Sequence, residues 1–342
     1  MRKFEPRLLP MAVGSVPHAD PEVALRLIYR LFPEIPCWPQ LPKRAFAENM
    51  YAQFSERFPG VTLEGDRVVV RRSQDLDPEL ERLYVAYLRG DPEYGAISPE
   101  YAAGLAAMTG RPPQGALAVK GQVTGPVSWG LVVVDEGRRP ILYDEVLAEA
   151  VAKHLRLKAT WQEEQLKRFA QTVITFIDEP YMSSFGSAYV SLSREQALVL
   201  IEEVLAGIQG VKGVHCCGNT DWSVLTATSV DLLNFDAYEY VETVALYVDE
   251  IRAFLGRGGI LAWGVVPSSA KVHSETAEGL ADRLVAGMQL FVSKGIPFDR
   301  LLEASMVTPS CGTGSLDIPT AEKVLTTTGE VSQIMRQRYG VS

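Results

Sequence analysis

From about residue 115 onward the chain repeats one pattern: a short β-prone apolar run, polar groups at its end, then a stretch with helical spacing. Ala116–Gln122 runs into Val123-Thr124-Gly125-Pro126, and helical periodicity follows over Tyr143–Phe169. Thr172–Ile177 ends in Asp178-Glu179-Pro180, and Ser193 is placed to cap a helix through Leu198, Ile201 and Leu205. Gly213–Cys217 leads to a short helix over Trp222–Leu225. Asp231–Phe235 ends in Asp236-Ala237-Tyr238-Glu239, before a helix over Thr243–Leu255. Gly259–Trp263 ends in Gly264-Val265-Val266-Pro267, before a helix over Thr276–Ser293. Leu301–Ala304 opens a last strand closing at Pro309-Ser310-Cys311-Gly312, and a terminal helix starts near Pro319. Such alternation points to a parallel sheet with crossover helices.

The first third adds two strands, Leu8–Val13 before Gly14-Ser15-Val16-Pro17-His18, and Cys37–Leu41. Asp20-Pro21 starts a helix between them, and another is expected through Phe46, Met50 and Phe54. The total of eight strands predicts an α/β fold, the (β/α)8 TIM barrel, with its active site at the C-terminal mouth. Between strands two and three, Gly60–Arg71 reads as a β-hairpin around Gly65-Asp66, with helical pieces near 77–89 and 98–108. We read this as an insertion at approximately 57–112 within a single TIM-barrel catalytic domain spanning 1–342. A doubly wound open sheet is the alternative, but no glycine-rich phosphate fingerprint follows the first strand.

The formal charge of −9 argues against nucleic acid or an anionic membrane as partner. No uncharged apolar run approaches the ~20 residues that a membrane-spanning helix needs. The first residues, Met-Arg-Lys-Phe-Glu-Pro, lack the apolar centre of a signal peptide. Four cysteines, two adjacent, do not make a disulfide framework at this length; a reducing cytoplasm with metal-binding or reactive thiols is expected.

The stretch Lys212–Trp222 carries the chemistry. On a strand, His215 and Cys217 share one face while Cys216 points away into packing. If strand ends converge at a barrel mouth, Glu239 and Cys311 complete a His215, Cys217, Glu239, Cys311 set that suits Zn²⁺. The carboxylate is the weakest of the four and could yield to a substrate thiol, which zinc would hold as a thiolate. A His-x-Cys pair also arises by chance, and a buried cysteine alone behaves as a small hydrophobe.

The His-Cys-Cys-Gly-Asn stretch resembles the His-x-Cys-Gly-Asn zinc motif of corrinoid-dependent methyltransferases. Nearly the whole chain looks like the catalytic C-terminal half of cobalamin-independent methionine synthase, in the uroporphyrinogen decarboxylase superfamily. Val13–Pro17 sits where that superfamily has Gly-Ser-x-Pro. Lys120–Pro126, Ile177-Asp178-Glu179-Pro180 and Pro309–Gly312 also resemble family segments, as does the spacing from His215 to Glu239. The resemblance implies that Gly14 and Ser15 hold the carboxylate of homocysteine, although a tight βα turn explains them equally well. It implies that Asp178 is a catalytic-site acid binding the substrate ammonium. Glu179 reads as a loop brace, Asn219 as a substrate-side residue orienting the ligand loop, and His154 and His273 as surface or packing residues.

Two departures bear on the methyl donor. Gly264–Ser269 offers no histidine where the family has one to protonate a folate leaving group, and Trp38–Arg44 contains no acid for the substrate amino group. The family's folate-binding N-terminal half is also expected to be missing. A methylcorrinoid, carried on a corrinoid protein partner, is therefore expected as donor ahead of methyltetrahydrofolate, because its leaving group needs no proton. The predicted activity is zinc-dependent methyl transfer to a small thiol: homocysteine first, coenzyme M or another thiol next. A metal-free decarboxylase of the uroporphyrinogen type, or a corrinoid-protein docking module with structural zinc, are the competing readings.

Overall fold

The computed structural model describes residues 4–187 and 190–341. Helix α1 (Pro21–Leu31) begins at Asp20, whose side chain accepts from the backbone N–H of Glu22 and Val23. Strands β1 (Val61–Glu64) and β2 (Arg67–Val70) form the expected hairpin. Helices α2 (Asp77–Arg89) and α3 (Ala103–Gly110) follow. Next come β3 (Ala118–Thr124), α4 (Pro126–Val132) and the two-residue β4 (Val134–Asp135), which adds to the hairpin as a third strand. The long α5 (Glu145–Leu166) precedes β5 (Thr172–Asp178), and α6 (Arg194–Leu205) starts with a reciprocal capping box between Ser193 and Gln196. Then come β6 (Val211–Cys216), α7 (Trp222–Thr226), β7 (Leu232–Phe235), α8 (Ala237–Val244) and α9 (Val248–Gly256). β8 (Ile260–Val266), α10 (Ala277–Val292), α11 (Phe298–Glu303), β9 (Ser305–Pro309) and α12 (Ile318–Tyr339) complete the order.

Strands β3, β5, β6, β7, β8 and β9 make one curled parallel sheet in that order. Leu301–Ala304, expected to open the last strand, instead forms the end of α11 and its C-cap, Ala304, with β9 starting at Ser305. The helix expected through Phe46, Met50 and Phe54 is one 3₁₀ turn at Phe46–Glu48 followed by turns. The two N-terminal strand segments contribute isolated parallel bridges instead of ladders: Pro10 to Val307, Ser15 to Gln40, and Cys37 to Lys120. Backbone bonds accompany them, among them Met11 N–H to Val307 O, Gln40 N–H to Gly14 O and Lys120 N–H to Pro36 O.

Side-chain alternation divides the core. A small cluster lines the concave side of the sheet, with Met11, Ile174, Phe176, Leu232 and Met306 among its members. A much larger one packs the convex side against the helices and includes Cys216, Trp222, Phe235 and Trp263. Cys216 therefore faces away from its neighbours His215 and Cys217, as strand parity requires. Among the described residues no helix is long and apolar enough to cross a membrane.

Candidate metal centre

His215 lies at the end of β6, Cys217 directly after it, and Cys311 two residues beyond the end of β9. Their ligand atoms all fall within 4.8 Å of one another. The loop carrying Cys311 is held from two sides. Ser268, beyond β8, accepts from the Cys311 backbone N–H at 3.0 Å and donates to its carbonyl at 2.7 Å. Thr313 donates to the Ser15 carbonyl through both its backbone N–H and its hydroxyl, each at 2.9 Å. Gly312 makes this approach feasible, because a Cβ there would sit 2.2 Å from Ser15 Oγ.

The imidazole is aimed by Asn234 on β7, which pairs with His215 across the ladder. Asn234 Nδ2 donates to Ala262 O and to Thr308 Oγ1, both at 2.8 Å. Its oxygen is thereby turned to His215 Nδ1, 2.6 Å away, which must donate. His215 Nε2 is left buried with no hydrogen-bond partner among the described residues. A buried nitrogen lone pair without a partner is costly unless something binds it. Two sulfurs and one imidazole nitrogen suit a borderline ion such as Zn²⁺, for which three protein ligands and one open position is the catalytic pattern. The residues fit such an ion.

Charge is shared unequally between the two thiols. The Cys311 thiol beside Cys217, together with His215, holds Cys217 well below the usual thiol range despite burial. Cys311 is pushed up correspondingly, so the pair keeps one proton between them. Burial opposes a charge on His215, and the neighbouring Cys217 more than offsets it, leaving the imidazole raised. A bound dication would displace these protons.

A cavity of about 430 Å³ opens beside the three ligands. Ser15, Gln40 and Asp178 line it from the strand ends, Lys43, Glu48 and Met50 from the segment after Gln40, and Gly314 from the Cys311 loop. Two buried carboxylates have a free oxygen here: Asp178 Oδ1 and Glu48 Oε2 make no hydrogen bond among the described residues. Burial raises Asp178, and the Lys120 ammonium and His215 pull it part of the way back. Burial likewise raises Glu48, against an ion pair with Arg44 at 2.6 Å. Glu179 is a brace: its carboxylate accepts from Val127 and Ser128 N–H and from the Ser128 hydroxyl at the start of α4.

Of the residues singled out in the sequence, the fold brings together His215, Cys217, Cys311, Asp178 and Ser15. Gly14 stands behind Ser15 with φ at +147°, packed so that a Cβ would meet Gln122 at 3.0 Å. Glu239 is not part of the ligand cluster. β7 ends at Phe235, so Glu239 falls in the first turn of α8, half exposed, and its carboxylate takes Lys271 at 2.6 Å. Asn219 is exposed and does not line the cavity. Asn234 and Glu48 escaped the sequence reading. The first had one visible signal, a lone amide inside the apolar run Leu232–Phe235; the second lies just beyond the Trp38–Arg44 window searched for an acid.

No protein-family model and no curated protein matches the chain. Solved structures that share the fold include a B12-independent methionine synthase from Shewanella sp. W3-18-1 in complex with selenomethionine. That likeness has a TM-score of 0.63 at 16 % identity and covers 98 % of this chain and 100 % of the other. A putative vitamin-B12-independent methionine synthase from Listeria monocytogenes follows, with a TM-score of 0.56 at 13 % identity, covering 96 % and 98 %. The chain thus has a methionine synthase-like fold.

Proposed function

We propose that the chain is a zinc-dependent thiol S-methyltransferase acting on a small amino-acid thiol, homocysteine first. The observation that carries this reading is the His215–Cys217–Cys311 cluster opening onto a cavity with two unpartnered buried carboxylate oxygens. Zn²⁺ bound there would supply Lewis acidity, lowering the pKa of an incoming thiol so that it is held as a thiolate at neutral pH. The chain's own residues supply orientation. Asp178 and Glu48 receive the substrate ammonium, a cation that coenzyme M lacks. Ser15, which accepts from Gly314 N–H at 3.3 Å, has its hydroxyl hydrogen for the carboxylate. The substrate sulfur then attacks the methyl carbon in line; the S–C bond forms as the bond to the donor breaks, and its electron pair leaves with the donor.

For the donor we favour a methylcorrinoid on a partner protein, because that leaving group needs no proton and Gly264–Ser269 offers no histidine to give one. Both solved neighbours are described as B12-independent, which weighs for methyltetrahydrofolate. We read the whole chain as one barrel domain, approximately 57–112 being an insertion that covers the second crossover. The bridges at Pro10, Ser15 and Cys37 support counting the two N-terminal segments as strands one and two of eight.

The test is metal analysis of zinc-reconstituted protein, followed by a panel of thiols with methylcobalamin and with methyltetrahydrofolate in parallel. The expected outcome is one zinc per chain and methionine formation from homocysteine with one of the two donors. A protein that retains no zinc, or activity unchanged in His215→Ala and Cys311→Ala, overturns the proposal.

A further inference from the structure

We infer that Asn234 is a positioning residue of the metal centre, fixing both the tautomer and the ring plane of His215. The inference rests on the metal-binding part of the proposed function and not on methyl transfer. Both amide hydrogens of Asn234 are committed, one to Ala262 O on β8 and one to Thr308 Oγ1 on β9, each at 2.8 Å. With its donors spent, Asn234 offers His215 only an acceptor, at 2.6 Å from Nδ1. The reversed amide would set its oxygen against the Ala262 carbonyl and its NH₂ against Nδ1, demanding a hydrogen on Nε2. An imidazole in that state has no lone pair left for a metal at Nε2.

The network also spans distance. His215, Asn234, Ala262 and Thr308 belong to four consecutive strands, β6 to β9, in the interior of the curled sheet. The two outer strands of this set are those whose ends carry the ligands. Asn234 and Thr308 are almost completely buried, so water does not replace the bonds if they are lost. Hydrogen-bond partners behind a ligating histidine hold its orientation and raise its basicity.

The test measures metal binding without substrate. Asn234→Leu, similar in size and lacking the acceptor, should weaken zinc binding about 10- to 100-fold in chelator competition, the usual cost of losing such a partner. It should also shift the sulfur-to-metal charge-transfer bands of cobalt-substituted protein. Asn234→Asp keeps an oxygen toward Nδ1 and should hold affinity to within a few-fold. Because the leucine variant could fail to fold, wild-type protein loaded with ¹¹³Cd gives a second measurement: coupling to ¹⁵N should appear at Nε2 of His215. Coupling to Nδ1, or unchanged zinc affinity in a folded Asn234→Leu, overturns the assignment. A wild type that binds neither metal overturns this and the proposed function together. Nε2 coupling in a protein that methylates no thiol supports the assignment and removes only the function.

Discussion

If Asp178 receives the substrate ammonium as proposed, Asp178→Asn should separate ammonium binding from metal binding, because Asp178 lines the cavity without belonging to the ligand triad. With homocysteine, KM should rise by about 10- to 100-fold, the size of one hydrogen bond to a charged group, ~1.5–3 kcal/mol. Zinc content should stay the same, and 2-mercaptoethanol, which has no amino group, should be methylated as well by the variant as by wild type. Equal losses with both thiols would refute the ammonium role. At this scale the sequence made His215, Cys217 and Cys311 legible, since ligand chemistry is a property of residue type and strand parity is a property of spacing. Glu239 was misplaced because the boundary between β7 and α8 is invisible in Asp236-Ala237-Tyr238-Glu239: Asp236 accepts from Glu239 N–H as the helix cap, putting the glutamate on the helix. Glu48 and Asn234 matter through what they lack or supply in three dimensions, which a string of letters does not display.

Helix α5 shows the same limit for a whole element. Apolar periodicity located it almost to its ends, yet it buries His154, Lys158, Gln162 and Glu163 along with its leucines. Each has a partner: His154 Nε2 meets Phe54 O at 2.7 Å, Lys158 donates to Ala96 O at 3.0 Å, Gln162 joins Trp38 to the backbone of Gln122, and Glu163 accepts from Gln209 N–H at 2.8 Å. Of the two expectations for His154, surface or packing, the second holds: it is fully buried against Phe58 and Trp129 and ties α5 to the segment preceding the hairpin. Burial lowers its pKa to about 3, with the Lys158 charge adding to the effect. The unfolded chain, with an ordinary histidine near ~6.5, takes up a proton that the folded one refuses. Stability from this group is therefore complete above about pH 6.5 and falls as pH drops toward 3, with a limiting slope of about 1.4 kcal/mol per pH unit. Subtracting urea-denaturation curves of His154→Gln from those of wild type across this range should isolate the slope. A difference independent of pH would contradict it.

Over the whole molecule, legibility changes between the two halves of the chain. From β3 onward the rhythm of strand and helix is readable because strands such as β5, β7 and β8 are buried on both faces and read as largely apolar runs. The first two segments carry Pro10 and Pro39, with Pro6, Pro17, Pro36 and Pro42 close on either side, and a proline donates nothing to a ladder. They consequently meet their neighbours at single bridges, and a count of eight uniform strands overstates their regularity. The hairpin and the helices after it were legible, but not what the segment just before the hairpin does: it delivers Glu48 and Met50 to the cavity wall.

Cys217 and Cys311 stand nearly a hundred residues apart in the chain, yet share one small cluster between β6 and β9. An ion held by both is therefore a cross-link as well as a reagent, and its occupancy becomes a variable of folding. At free zinc about 100-fold above the dissociation constant, mass action adds about 2.7 kcal/mol to the folded state. Differential scanning calorimetry should show the melting temperature rise by several degrees with zinc, fall with chelator, and respond to neither in Cys311→Ala. Loss of the ion would then cost the protein stability as well as reactivity, from one and the same site.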